Sequence, residues 1–109
     1  MKELSAKKCV PCEGGVKPLT RTQAGALRKQ LHKDWKLSAD AKSLRRALKF
    51  KDFYRTMSFV NAVAHIANIE DHHPDLEIGY NYCRISYSTH SIGGLSQNDF
   101  ICAAKIDRL

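Results

Sequence analysis

Residues 70–90 read EDHHPDLEIGYNYCRISYSTH, and the way this stretch folds decides the rest of the chain. Proline disfavours helix in the residue before it, so a helix arriving from upstream is expected to stop just before Pro74. Leu76, Ile78 and Tyr80 then alternate with Glu77, Gly79 and Asn81. Cys83, Ile85 and Tyr87 alternate with Arg84, Ser86 and Ser88. Period-two alternation predicts two strands of a hairpin, each with one buried face. His72 and His73 therefore fall where a helix ends, and His90 where a strand ends.

Upstream, Phe53, Met57, Val60, Ala64 and Ala67 form one helical stripe, widened by Phe59, Val63 and Ile66. An apolar arc this broad exceeds what one face of a small sheet needs, which predicts burial against another subunit. Residues 43–50, SLRRALKF, fit strand alternation and helical spacing equally well. Trp35 to Ser38 reads as a short strand. Thr20 and Gln23 match a capping box, and Ala24, Leu27 and Leu31 follow at helical spacing, predicting a helix from Arg21 to Lys33. Ser96 and Asp99 match a second capping box that opens a final helix. Residues 1–19 include PCEGGVKP, which carries turn residues without periodicity, and are expected to form an irregular arm. Residues 20–109 then make one domain.

A chain of 109 residues, 43% hydrophobic and 27% charged, has the composition of a single globular domain. No apolar run approaches the roughly 18–20 residues of a membrane span, and the charged N-terminus has no signal-peptide core behind it. A cytoplasmic location and no membrane partner are expected. The four cysteines then read as thiols. Residues 1–55 hold fifteen Lys or Arg against five acids, whereas residues 56–109 hold three against six. That asymmetry raises an anionic partner for the first half. In Lys49, Phe50, Lys51, Phe53 and Arg55, basic and aromatic residues interleave as in some nucleic-acid binders. These aromatics fall on the expected core stripe, so nucleic-acid binding is not the preferred reading.

Histidine exchanges protons near neutrality, and several around one rim pocket would suit acid–base chemistry. A cationic cap at a helix C-terminus explains His72 and His73 as well. The residues alone leave these two readings open. Metal binding is not expected, because His65 precedes His72 by two helical turns, roughly 10 Å, not by one. Cys9-Val-Pro-Cys12 is half of a zinc ligand set or a dithiol, and a disordered arm is the preferred alternative.

Extended to residue 99, EDHHPDLEIGYNYCRISYSTHSIGGLSQND resembles the signature of the pterin-4a-carbinolamine dehydratases. The matching parts are His72-His73-Pro74, the aromatic Tyr80, Thr89-His90, Gly94-Leu95-Ser96 and Asp99. Trp35 and FKDFYR (50–55) match in kind and spacing, and the resemblance covers residues 20–107. It departs from the family at Asn68, where a charged residue is frequent, and at Leu76, where an aromatic is common.

The resemblance implies an α+β fold of order α-β-β-α-β-β-α, with a four-stranded antiparallel sheet and helices packed on one face. Residues 43–50 become a strand. It also implies a homodimer or homotetramer formed through the helix 53–67 and a sheet edge. The implied reaction is dehydration of 4a-hydroxytetrahydrobiopterin to quinonoid dihydropterin and water, with no metal or organic cofactor. This would serve pterin recycling, with an aromatic amino acid hydroxylase as a candidate partner. By the resemblance, His72 and His90 form the acid–base pair and His73 holds the pterin. Backbone near Asp71 and along Ser88-Thr89 is assigned to the pterin's donor–acceptor edge. Asp99, Tyr80 and Pro74 are assigned structural roles, Asp99 as a helix-capping acid and Tyr80 as a packed strand aromatic. The alternative function is a non-catalytic dimerisation or coactivator-type module. In that case changes at Met57 or Val60 would matter and changes at the histidines would not.

Overall fold

The computed structural model describes residues 3–11 and 16–109. Its elements are α1 (Arg21–Arg28), β1 (Lys36–Leu37), β2 (Leu44–Lys49), α2 (Phe53–Glu70), β3 (Asp75–Gly79), β4 (Tyr82–Tyr87) and α3 (Gln97–Ile106). The order is the α-β-β-α-β-β-α expected. All neighbouring strands are antiparallel and the sheet runs β1-β2-β4-β3. Residues 43–50 are thus resolved in favour of strand: Leu44 pairs with Tyr87 and Leu48 with Cys83. Pairing with β4 satisfies the backbone on one side of β2 and turns its alternate apolar residues to the core, which local periodicity could not decide.

Leu44, Cys83, Ile85 and Tyr87 point to the helical side, where they meet Val60 and Val63 of α2 and Phe100, Ile101 and Ala103 of α3. The opposite face carries Arg45, Ala47 and Lys49 beside Tyr82, Arg84 and Ser86. There Arg84 pairs with Glu77 at 2.8 Å and lies over the Tyr82 ring at 4.7 Å.

Several boundaries differ from expectation. α1 stops at Arg28 rather than Lys33, because the amides of Gln30 and Leu31 turn to the carbonyls three residues back. That tightening directs the chain toward β1 and buries Leu31. α2 begins at its N-cap Asp52, whose side chain accepts from the Arg55 amide at 2.9 Å, but ends at Glu70, three residues before His73. Tyr80 is no packed strand aromatic. It sits in the β3–β4 turn, 65% exposed, and contributes its carbonyl, which accepts from Thr56 Oγ1 at 3.0 Å. On α2, Thr56, Val60, Val63 and Ala67 are the buried positions, whereas Phe53, Tyr54 and Ile69 stay exposed. Phe50, by contrast, packs on Phe59 with ring centres 5.2 Å apart.

The described part of the N-terminal arm is irregular except for one 3-10 turn, Leu4–Ala6, and it is anchored. Leu4 is buried in the core, and Lys105 Nζ donates to the Ser5 carbonyl at 2.8 Å. Burial of Leu4 and these hydrogen bonds offset the entropy of ordering a segment that sequence marks as a tail. Cys12 lies outside the described residues.

Asp107, just past α3, joins three parts of the chain. Its Oδ1 accepts from Trp35 Nε1 at 2.8 Å and Arg46 Nη1 at 2.7 Å, and its Oδ2 from the His32 amide at 2.9 Å. Asp107→Ala removes the partner of a largely buried guanidinium and of a buried indole. Urea unfolding is expected to show a loss of about 3 kcal/mol.

Candidate active site

The site is built where α2 ends. Asp71 takes the left-handed conformation, φ 51° and ψ 43°, and the His72 amide donates to the Ala67 carbonyl at 3.1 Å. This six-to-one hydrogen bond closes the helix and throws His72 back toward the sheet. Aspartate tolerates the left-handed region better than branched residues do. Asp71→Val is therefore expected to cost about 1–2 kcal/mol and Asp71→Gly to be neutral or mildly stabilising, as thermal denaturation would show.

The His72 ring stacks on Tyr87 of β4, with centres 5.7 Å apart and planes 6° from parallel. Its Nε2 lies 2.6 Å from Oδ1 of Asp99. Asp99 is fully buried, and its Oδ2 accepts from Thr89 Oγ1 at 2.8 Å and from the Ser96 amide at 2.9 Å. The capping role expected for Asp99 thus occupies one oxygen, and the second oxygen orients a histidine. A carboxylate can only accept, so Nε2 carries the proton and Nδ1 is the nitrogen left for exchange. Burial alone would lower the His72 pKa. The hydrogen bond and charge of Asp99 outweigh it, with Cys102 and Asp71 adding, and the net shift is upward from 6.5.

Thr89 is buried, and its main chain is already used. Its amide donates to the Gly94 carbonyl at 2.8 Å, and its own carbonyl receives the amides of Ile92 and Gly94. The Thr89 backbone is therefore committed to the turn that carries His90, not free for a ligand edge. His90 opens a 3-10 turn that Gly93 closes with φ 69°, and it is exposed at the mouth of the site.

One pocket of about 600 Å³ brings these parts together. Its walls include Asp71, His72, His73, Ser88, Thr89 and His90, every catalytic and substrate-binding candidate read from sequence. A volume of this order suits a small heterocycle. Pro74, Tyr80 and Asp99 are not on its walls: Pro74 leads into β3, Tyr80 lies at the hairpin turn, and Asp99 supports the site from beneath. Sequence reading missed Cys9, Val10, Pro11, Glu70 and Asn98, which also line it. Nothing local marks the arm as a wall. The Asp99–His72 contact did leave a signal, since a capping acid near a histidine motif has a second oxygen to spend.

A histidine-lined pocket at the rim of a four-stranded sheet backed by helices defines an α+β protein of the pterin-dehydratase type. The chain belongs to the pterin 4 alpha carbinolamine dehydratase family, whose model matches residues 17–109. A Nitrosomonas eutropha protein bearing the family's name is 56% identical over 98% of this chain and 93% of its own length. One from Legionella pneumophila is 55% identical over 98% of this chain and 95% of its own. Among solved structures, the transcriptional coactivator/pterin dehydratase of Brucella melitensis superposes with a TM-score of 0.79 at 28% identity, covering 84% of this chain and 97% of that one. A pterin dehydratase-like protein described as a RuBisCO assembly factor of the α-carboxysome shares the fold, with a TM-score of 0.61 at 20% identity over 71% of this chain and 89% of that one. No helix among the described residues is long and apolar enough to cross a membrane.

Proposed function

We propose that this protein is a hydro-lyase that removes water from a 4a-hydroxytetrahydropterin, with His72 and His90 as its acid–base pair. The observation that carries this reading is the meeting of His72, His73 and His90 on one pocket, with His72 fixed through Nε2 by a buried carboxylate. The reaction breaks the C4a–O bond and removes one ring N–H proton, leaving the quinonoid dihydropterin and water. The Asp99 interaction favours the imidazolium form of His72, which suits Nδ1–H to protonate the departing hydroxyl. His90, which lines the same pocket, takes the ring proton. His73 holds the pterin, and Ser88 and the chain around Asp71 face its polar edge. Water then carries the proton balance, since one proton is given and one taken per turnover.

Pterin recycling after aromatic amino acid hydroxylation follows from this substrate, and a hydroxylase would supply it. The exposed Phe53, Tyr54 and Ile69 of α2 and the edge strand β3 support a homo-oligomer. A binding-module reading has one observation in its favour, the same α2 face. Val60 is buried in the chain's own core and Ile69 lines the histidine pocket, so Phe53 and Tyr54 are the positions that test it. Stopped-flow absorbance of 4a-hydroxytetrahydropterin breakdown should show acceleration by the protein over buffer. Breakdown at the buffer rate would remove the dehydratase reading and leave the binding surface.

A further inference from the structure

Two sulfurs from opposite ends of the chain meet beside the histidine pocket. Cys9 Sγ lies 3.6 Å from Cys102 Sγ, across 93 residues of sequence. Cys102 is fully buried on α3, and Cys9 is partly exposed on the arm. Their juxtaposition is held by three hydrogen bonds that flank the arm sulfur. The Cys9 amide donates to Glu70 Oε1 at 2.8 Å, the Val10 amide to Asn98 Oδ1 at 3.1 Å, and Asn98 Nδ2 to the Val10 carbonyl at 2.6 Å. Cys9, Val10 and Pro11 thereby stand as a wall of the pocket that also holds His72, His73 and His90.

We propose that Cys9 and Cys102 are a dithiol redox site that closes to an intramolecular disulfide by exchange with a low-molecular-weight disulfide, fastening the N-terminal segment to the wall of the histidine pocket. The bond's formation is independent of the dehydratase reading.

Both steps balance as thiol–disulfide exchange. The more accessible Cys9, as thiolate, attacks one sulfur of the small disulfide, forms a mixed disulfide and expels one small thiolate. Cys102, as thiolate, then attacks the Cys9 sulfur and expels the second. The two cysteine sulfurs are oxidised by two electrons in all, the small disulfide is reduced to two thiols, and the two cysteine protons pass to the leaving thiolates. Closing the contact to a bond of about 2.05 Å requires roughly 1.5 Å of approach, which falls on Cys9 because its segment is neither helix nor strand.

The surroundings suit Cys102 to the second step. Its pKa is lowered from 9.0, first by the hydrogen bond from the Cys9 thiol, against burial. Once Cys9 is in the mixed disulfide that hydrogen bond is gone, and the charge of His72 still favours the Cys102 thiolate. The same hydrogen bond and burial raise Cys9 while the arm is docked, so Cys9 reacts when the segment lifts. Cys83, buried on β4, is outside this pair.

The test incubates the reduced full-length chain with glutathione disulfide, blocks free thiols, digests without reductant and reads the peptides by mass. The expected product is a Cys9 peptide joined to the Cys102 peptide, lighter than their sum by two hydrogens and separated again by dithiothreitol. The Cys12→Ser chain should form the same link, and the Cys12→Ser, Cys102→Ser double variant should stop at a glutathione adduct on Cys9. A Cys9–Cys12 link, or a persistent glutathione adduct on Cys9 in the unaltered chain, would overturn the proposal. Because the readout is mass, it stands or falls separately from any pterin assay.

Discussion

His72→Ala is expected to lower the rate constant for 4a-hydroxytetrahydropterin dehydration by about 10²–10⁴-fold, the range that a positioned acid or base contributes. The loss should fall on kcat more than on KM, because the imidazole acts as the hydroxyl departs. The fold should survive with reduced stability, since His72 lies on the pocket wall but its loss leaves Asp99 Oδ1 buried without its partner. His90→Ala is expected to lose activity in the same range. Single-turnover stopped-flow on the three proteins reads both effects. A His72→Ala protein at full speed would mean that the histidine is only a cap for α2.

The second large effect is expected at Asp99, a positioning residue that acts through His72. Asp99→Asn keeps the size of the side chain and can keep an oxygen for Thr89 Oγ1 and the Ser96 amide. Its amide nitrogen would then face His72 Nε2 and act only as a donor. His72 must therefore accept at Nε2 and carry its proton on Nδ1, a tautomer that cannot become an imidazolium at that bond without losing it. Activity is expected to fall on the order of 10²-fold, and the pH profile should move with it. In the unaltered protein the His72 pKa is raised, so the protonated form persists above pH 6.5. In Asp99→Asn the burial that remains acts downward, so the alkaline fall in rate should begin at lower pH. A role confined to capping would leave the position of that fall unchanged.

The same residue carries a stability effect with a defined sign. Because the His72 pKa is higher in the folded chain, its protonation stabilises the fold. That contribution is fully present below pH 6.5 and is lost as pH rises through the elevated folded value. Asp99→Ala leaves the Ser96 amide, the Thr89 hydroxyl and the imidazolium without their acceptor. Urea unfolding near pH 6 should show a loss of about 3–5 kcal/mol, larger than that of Asp99→Asn.

Much of the fold was legible because local chemistry agreed with the tertiary result. The Thr20–Gln23 and Ser96–Asp99 boxes start α1 and α3 where they were expected, since capping involves only residues within one helical turn. The alternation after Pro74 likewise marked β3 and β4, and β4 buries Cys83, Ile85 and Tyr87 on one face. The edge strand β3 only half-buries Leu76 and leaves Ile78 exposed, so the expected buried face holds for β4 alone. The three histidines were legible as a group through the resemblance, and the pocket gathers them.

Other features were decided only by the folded chain. Whether residues 43–50 become strand depends on the unsatisfied edge of β4, far away in sequence, and two local periods fit them equally. The extent of the α2 core stripe depends on which residues meet the sheet, so Val60 and Val63 are covered while Phe53 is not. The second oxygen of Asp99 finds His72 across 27 residues, and Cys9 finds Cys102 across 93. Composition and spacing on their own determine which elements can form and which side chains can exchange a proton. Only tertiary packing decides which of those side chains share a hydrogen bond, because it alone sets distances between residues remote along the chain.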